Sequence, residues 1–368
     1  MKYLIILAVL LSILGCQAPQ KSPPRQPFME ALDSALQAER VPGCAVMVIR
    51  EGAVLLEEYS GEAEVSFAQP VTERTVFSIN SIAKVFAGTT VMQLADRGMI
   101  QLQDSLGAYL DSLPASWQGI TLRQLLNHTS GLPDIEDVAA GGVIGGQGEA
   151  HVWELVKQQP LVGTPGTKFR YIATHYGLIQ QVIEQVSGMD YLSFLDSAQF
   201  EPLGITNITF GSSFEVVPHL GPTYSLYQRD PTTGKTTKGT ELQKIREAFF
   251  PSLYADAGAF ATLRDLGQWV MHLQAGGFVT KESQEEMWTA QPNDEGSIQG
   301  FGGFLNGYGI GWPVMHRREH PGVLAIGGGR AALAIYPEEE LCVILLTNLT
   351  GSSPHRIVEK LAPLLWQK

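Results

Sequence analysis

The sequence has little cysteine, a shortage of basic residues, and no long apolar run beyond its first residues. Three cysteines among 368 residues exclude a disulfide framework. The 25 lysines and arginines are outnumbered by 37 acidic residues, and no basic run occurs, so nucleic acid is not an expected partner. The eight histidines form no H-E-x-x-H motif or paired-cysteine spacing, so we predict no metal site and no other cofactor.

The first sixteen residues, MKYLIILAVLLSILGC, combine one basic residue with a short apolar run that ends in small residues before Cys16. This pattern predicts a secretion signal. Its ending resembles a bacterial lipobox, in which the cysteine is lipidated; the alternative is an ordinary signal peptide with an incidental cysteine. Residues 17–27 are polar and proline-rich, as in a stiff tether. We therefore expect an exported bacterial protein of the cell envelope, periplasmic or on the outer membrane, anchored to the membrane only through Cys16.

Strand patterns occur at both ends of the body of the chain. Two apolar runs in residues 43–61 flank a short turn, and two more in residues 330–348 flank Pro337, so each stretch predicts a β-hairpin. Helical periodicity dominates between them. The predicted fold is α+β: an antiparallel sheet lobe from residues 28–77 and 300–368, covered by helices, with an inserted helical lobe from residues 78–299.

Three helices are predicted from apolar periodicity: one from Ser81 to Gly98, one from about Tyr176 to Gly188, and an amphipathic C-terminal helix that Pro363 bends or ends. The glycine-rich residues 139–150 predict a mobile loop. They lack the G-K-[ST] that a phosphate-binding loop requires.

Cys44 and Cys342 each lie in an apolar strand-like run. Buried free thiols are the favoured interpretation. A disulfide stays open as an alternative, because the two strands can be neighbours.

The stretch FSINSIAK, residues 77–84, places Ser81 three positions before Lys84 at the start of a predicted helix. Ser81 is therefore either a helix cap or a nucleophile. A cap needs no lysine. A serine nucleophile needs a neighbouring base, which is either a lysine whose pKa is lowered or a tyrosine that such a lysine keeps partly ionised. An S-x-x-K spacing alone is weak support for a nucleophilic serine. A suitably placed tyrosine would strengthen that interpretation.

Two later stretches supply further candidates. Tyr171 directly precedes a predicted helix within residues 165–179, and His320 and Gly322 lie before a predicted strand in residues 319–329. Five further segments contribute to the resemblance described next. They are LLNHTSGLP at 125–133, EPLGI at 201–205, ADAGAFATLRDLGQW at 255–269, YGIGW at 308–312 and LTN at 346–348.

With these segments the chain resembles the serine β-lactamase and penicillin-binding-protein superfamily over roughly residues 28–368. The likeness is to its class C β-lactamase-like branch, which includes family VIII carboxylesterases, D-aminopeptidases and DD-peptidases. In that branch S-x-x-K, Y-x-N and a K-T-G or H-x-G element line one cleft. The resemblance implies an α/β sandwich with an inserted helical lobe.

The resemblance also implies roles for individual residues. Ser81 is the expected acylated nucleophile, and Lys84 and Tyr171 are expected to share the acid–base work as a coupled pair. His320 and Gly322 are expected on the strand that edges the cleft. The backbone N–H of Val323 would join that of Ser81 in the oxyanion hole.

The chain departs from the family pattern at two positions. Ala173 replaces the asparagine of Y-x-N, a loss of a hydrogen bond to substrate and to Lys84 that costs about 1–3 kcal/mol. A longer turn after His320 brings Arg330 near the expected cleft, either as a partner for a substrate carboxylate or, the interpretation we favour, as a solvated charge at a strand end.

Other candidates have structural interpretations. We expect Tyr176 to pack within its helix and His128 to support a loop through backbone hydrogen bonds. The tryptophans either line a substrate groove or, as is commoner, fill cores and lobe seams; they are Trp153, Trp269, Trp288 and Trp312.

The predicted function is that of a serine hydrolase that forms an acyl-enzyme on an ester or amide. Small esters or D-amino-acid peptides are favoured over β-lactams because of Ala173. A β-lactamase or DD-peptidase proper is one alternative, and a catalytically degenerate binding protein is another. The expected partner is a small-molecule or peptide substrate, with cell-wall peptides among the candidates.

Overall fold

The computed structural model describes residues 25–138, 148–230 and 233–366. The predicted signal, Cys16 and most of the glycine-rich stretch lie outside these residues. The predicted tether also lies outside them except for residues 25–27, which instead form the first turn of helix α1 (Arg25–Glu39). No helix within the described ranges is long and apolar enough to cross a bilayer.

Fourteen strands occur among the described residues. They are β1 (Gly43–Arg50), β2 (Ala53–Glu64), β3 (Gln69–Pro70), β4 (Phe77–Asn80), β5 (Ile208–Phe210), β6 (Tyr224–Arg229), β7 (Thr236–Lys244), β8 (Ala259–Ala261), β9 (Gly307–Tyr308), β10 (Pro313–Met315), β11 (Gly322–Gly327), β12 (Ala331–Tyr336), β13 (Leu341–Thr347) and β14 (Leu349–Thr350). Eight form one sheet in the order β3-β2-β1-β13-β12-β11-β10-β9. Every pair in this sheet is antiparallel.

The two ends of the chain meet at the centre of this sheet. β1 pairs with β13 along its full length, from Cys44 opposite Thr347 to Arg50 opposite Leu341. Both predicted hairpins are present, as β1–β2 and β12–β13. This confirms the predicted sheet built from both termini.

Nine further helices occur in the described chain. They are α2 (Ala83–Asp96), α3 (Leu122–Leu126), α4 (Ile135–Val138), α5 (Glu149–Lys157), α6 (Ala173–Ser187), α7 (Tyr191–Leu195), α8 (Leu263–Gln274), α9 (Lys281–Trp288) and α10 (Pro354–Leu361). α1 and α10 cover one face of the large sheet, and α8 packs against β1 and β13 on the other. Although α8 lies inside the predicted insertion, it packs on the sheet. The α+β fold class is confirmed.

Alternation along β1 explains how both faces are covered. Ala45, Met47 and Ile49 join the large core shared with α2 and α8, whereas their neighbours point to the core beneath α1 and α10. Successive side chains of a strand point to opposite faces, so a strand buried on both faces is apolar throughout. Neither Cys44 nor Cys342 forms a disulfide, and both are buried, as favoured from the sequence.

The predicted helices differ from the observed ones mainly at their ends. α2 begins at Ala83, two residues after Ser81. α6 begins three residues earlier than predicted and ends at Ser187; Gly188 follows it, with a left-handed φ of 69° that is typical of a helix C-terminus. α10 ends at Leu361, and a 3-10 turn that contains Pro363 follows it.

Candidate active site

The nucleophile candidate lies in the turn between β4 and α2. β4 pairs with β8, and Asn80 at its end has a φ of 40°, in the left-handed region. Non-glycine residues in this region are strained and cluster at functional sites. Ser81 follows in the turn, and no side chain caps α2 at its start. Ser81 is therefore not a helix cap.

Lys84 lies in the first turn of α2 and is almost fully buried. Its Nζ is 2.7 Å from Oδ1 of Asp256 and donates a 2.9 Å hydrogen bond to the carbonyl oxygen of Asp256. Burial lowers the pKa of Lys84, but its attraction to Asp256 outweighs burial, so the pKa is raised overall. Lys84 is thus an ammonium ion in the resting site.

Tyr171 lies two residues before the start of α6 and turns its ring towards Lys84, whose Nζ lies 4.5 Å from the ring centroid. Tyr171 also lines the same cavity as Ser81. Burial raises the pKa of Tyr171, and the opposing attraction of Lys84 does not cancel this effect. The structure therefore brings Ser81, Lys84 and Tyr171 together, as the sequence predicted, with the tyrosine protonated at rest.

Ser81 and Tyr171 open into a cavity of about 250 Å³. Its other walls come from β9, β10, β11 and the loops beside them; the lining residues are Phe301, Tyr308, Gly311, Pro313, Ala325, Ile326 and Gly328. None of these side chains carries a charge. The cavity is suited to a small, neutral, largely apolar group.

β11 presents an open backbone edge to this cavity. β10 pairs with β11 only as far as Val323, so later residues lack a neighbour on that side. The carbonyl of Gly327 faces β12, because it accepts a hydrogen bond from the N–H of Arg330. Since backbone groups alternate in direction along an antiparallel strand, the N–H of Ile326 faces the cavity. Ile326, not Val323, is placed to donate to an oxyanion.

A glycine fixes how closely this strand approaches the nucleophile. A Cβ added to Gly327 would overlap the carbonyl oxygen of Ile79, on β4. The edge strand and the strand that leads to Ser81 therefore meet backbone to backbone.

The structure contradicts the expected positions of His320 and Gly322. The His320 ring stacks on Trp366 with a centroid separation of 3.7 Å, and its Nδ1 pairs with Glu339. Gly322 begins β11 opposite Met315, at the far end from the cavity. The letters H-x-G matched the family element, but the residues that reach the cavity lie about four positions later along the strand.

Ala173 is the first residue of α6 and donates its backbone N–H to Asp134 at 3.2 Å. It does not line the cavity. Ala173, a tentative substrate-binding position from the sequence, therefore contributes no side chain to the cavity.

Both interpretations of Arg330 are wrong, because its side chain is buried and paired within the protein. Its Nη2 lies 2.5 Å from Oε1 of Glu247, which also accepts a 3.2 Å hydrogen bond from Nδ2 of Asn80. The pair thus supports the strained residue that precedes Ser81. Sequence reasoning missed it because Glu247 lies 83 positions from Arg330.

We expect Glu247→Gln to lower the free energy of unfolding by about 3 kcal/mol, because it leaves the buried Arg330 charge without its partner. Urea denaturation would measure this, and Arg330→Met combined with Glu247→Gln should recover at least about 1 kcal/mol. Asp137→Asn is the matched control, since it breaks an exposed pair with Arg170 and should cost less than about 1 kcal/mol. Equal effects of the two single substitutions would contradict the assigned role of Glu247.

The predicted structural roles of Tyr176 and His128 hold. The Tyr176 hydroxyl donates to the carbonyl of Leu126 at 3.1 Å, and the side chain is fully buried. His128 accepts the N–H of Arg170 on its backbone oxygen, and its ring centroid lies 4.5 Å from that of Tyr171. Burial holds the pKa of His128 well below its usual range. No tryptophan lines the cavity among the described residues.

Sequence reasoning gave no role to Asp256 or to Phe301 and Tyr308, the two aromatic residues that line the cavity beside Tyr171. Asp256 and Tyr308 lie within segments that match the family, ADAGAFATLRDLGQW and YGIGW. A carboxylate in the otherwise apolar stretch ADAGAFA, residues 255–261, is the one signal that points to Asp256. Phe301 carries no such signal.

Comparison with known proteins agrees with this geometry. A profile of the family described as Beta-lactamase matches residues 28–365. The chain belongs to the beta-lactamase family. The chain is 25% identical over 295 residues to penicillin-binding protein 4* of Bacillus subtilis, and the match covers 77% of this chain and 62% of that protein. It is 24% identical over 217 residues to protein flp of Staphylococcus aureus, covering 57% of this chain and 43% of that protein. It thus spans less than two thirds of the length of either relative.

Solved structures show the same fold in other beta-lactamase-like proteins. The octameric penicillin-binding protein homologue from Pyrococcus abyssi has a TM-score of 0.77 at 23% identity, covering 94% of this chain and 78% of that one. D-amino acid amidase from Ochrobactrum anthropi SV3 has a TM-score of 0.77 at 21% identity, with coverage of 93% and 98%. EstCE1, described as a hydrolase with promiscuous acyltransferase activity, has a TM-score of 0.75 at 20% identity, with coverage of 93% and 98%.

Proposed function

We propose that this protein is a serine hydrolase that cleaves a small ester, or an amide of a D-amino acid, through an acyl-enzyme on Ser81. The observation that carries the proposal is that Ser81 and Tyr171 line one cavity while the buried Lys84 ammonium lies against the Tyr171 ring. A serine hydroxyl next to a coupled acid–base pair is the arrangement that nucleophilic catalysis needs.

The reaction follows from the positions of these groups. The Oγ of Ser81 bonds to the substrate carbonyl carbon while its proton passes to the deprotonated Lys84–Tyr171 pair. The backbone N–H groups of Ser81 and Ile326 stabilise the resulting oxyanion, and one such donor is typically worth about 3 kcal/mol. Tyr171 then protonates the leaving group. Water attacks the acyl-enzyme with the same pair as the base, which restores Ser81.

The neutral cavity supports an uncharged acyl group. No lysine or arginine lines it, so the carboxylate of a β-lactam finds no charged partner there. Arg330 is engaged by Glu247, and Ala173 supplies no amide. EstCE1, described as a hydrolase with promiscuous acyltransferase activity, and a D-amino acid amidase share the fold, which supports ester or amide hydrolysis by this chain.

We further propose that the protein is exported and held at the cell envelope by a lipid on Cys16. The short apolar run that ends in small residues before this cysteine supports export. Metabolic labelling with a palmitate analogue tests the anchor, and Cys16→Ser should abolish incorporation.

A labelling experiment tests the hydrolase assignment. A fluorophosphonate should add once per chain, and peptide mapping should place the adduct on Ser81. Nitrophenyl acetate and butyrate, D-alanine amide, a D-Ala-D-Ala peptide and nitrocefin should then be compared at equal concentrations. We expect kcat/KM for the best ester or D-amino-acid amide to exceed that for nitrocefin by about 10-fold or more. Complete inertness towards the probe and every substrate would reject the hydrolase and favour a binding protein.

A further inference from the structure

Asp256 holds Lys84 through two oxygen atoms. The Nζ of Lys84 lies 2.7 Å from the Asp256 carboxylate and 2.9 Å from its backbone carbonyl. An ammonium group has three N–H donors. One donates to the Asp256 carbonyl, the carboxylate lies at ion-pair distance, and the Tyr171 ring lies 4.5 Å from Nζ.

This contact occupies the role that the family gives to an asparagine. At the corresponding position the chain has Ala173, which has no polar side chain. The anchor of Lys84 therefore comes from the segment before β8 instead of from the start of α6. An asparagine is neutral, whereas Asp256 is a carboxyl group; burial raises its pKa, but its contact with the Lys84 ammonium opposes this and favours the charged pair.

We propose that Asp256 is a positioning residue that keeps Lys84 charged and so sets the pH range in which Ser81 can lose its proton. The inference rests on the proposed function, because it concerns the same site. Asp256 itself does not line the cavity, so it acts through Lys84 and has no direct contact with substrate.

Other ionisable groups also face Lys84. Asp256 comes from the segment before β8. The remaining groups come from four neighbouring segments: Tyr171 precedes α6, His175 and Tyr176 lie on α6, His128 follows α3, and Glu136 lies on α4. Burial lowers the pKa of both histidines, so they are neutral near pH 7. Asp256 is the carboxylate in direct contact with Nζ.

The number of protons on the Lys84–Tyr171 pair decides in which direction Asp256 shifts the pH profile. The resting pair is Lys84 ammonium with Tyr171 phenol, and neither group can accept the proton of Ser81. The pair must first lose one proton, so activity rises with pH as that proton leaves. A neighbouring negative charge opposes this loss. Asp256 therefore moves the rising limb of the activity profile to higher pH.

The test is the pH dependence of kcat/KM for a nitrophenyl ester in the native enzyme and in Asp256→Asn. We expect the midpoint of the rising limb to fall by about 1–3 pH units in the variant. Asp256→Glu, which keeps the charge, should leave the midpoint within about 0.5 units of the native value. Asp111→Asn is the matched control, because it removes the same charge at an exposed site and should not move the limb.

An unchanged midpoint in a folded Asp256→Asn variant would overturn the proposal, even if its activity fell at every pH. The proposal of function fails separately, if the native enzyme neither turns over nor labels.

If Asp256→Asn does not fold, carbon-13 NMR of tyrosine Cζ in the native enzyme decides. The Tyr171 signal, identified by its loss in Tyr171→Phe, should remain that of a phenol to about pH 8. A phenolate signal at neutral pH would overturn the inference.

Discussion

Ser81→Ala should lower kcat/KM for the best ester by about 10⁴-fold or more and abolish the fluorophosphonate adduct. The substitution removes the only atom that bonds to the acyl group, while the cavity and the backbone donors remain. Substrate binding should therefore persist, because its apolar walls are untouched. The measurements are steady-state kinetics and intact mass after labelling.

Ser252→Ala is the matched control for Ser81→Ala. Ser252 is a part-buried serine that accepts a hydrogen bond from the indole of Trp153, and it lies outside the cavity. Its variant should label like the parent. An adduct of equal yield on Ser81→Ala would show that another residue is the nucleophile.

Tyr171→Phe should lower kcat by about 10²–10⁴-fold, because it deletes the acid–base hydroxyl and keeps the ring. The ring contacts with His128 and Phe301, at centroid distances of 4.5 and 5.1 Å, remain possible. KM should therefore change little. Labelling of Ser81 should slow but reach the same mass, which stopped-flow kinetics and timed mass spectra would show.

Tyr176→Phe separates catalysis from packing. Tyr176 also lies near Lys84, with Nζ 5.3 Å from its ring centroid, yet its hydroxyl donates to a backbone carbonyl. This variant should lose about 1 kcal/mol of stability and keep kcat within about threefold of the parent. If Tyr171→Phe were no slower than Tyr176→Phe, the acid–base role of Tyr171 would be wrong.

The sequence predicted those parts of the protein that depend on local pattern. Both hairpins followed from alternating apolar runs around short turns. Ser81 and Lys84 followed from their spacing at the start of a helix, and Tyr171 from its place just before another. Each of these signals lies within about twenty residues of chain.

Contacts between distant segments were not predictable in this way. The partner of Lys84 lies 172 positions away, and nothing in either local pattern names it. Arg330 looked exposed because a charge at a turn usually is, whereas Glu247 makes its burial possible. The prediction that His320 lies at the cleft was wrong for another reason. A three-letter motif gives no information on which residue of the following strand reaches the cavity.

The missing side chain at Gly327 has a consequence for how the catalytic geometry is maintained. With no Cβ between the two main chains, the separation of the amide groups of Ser81 and Ile326 is set by direct contact of peptide units. Replacing one apolar side chain nearby by another changes rotamers and volumes but leaves this backbone contact in place. The distance between the two amide donors therefore does not depend on which side chains fill the surrounding core. A larger residue at position 327 would increase that distance.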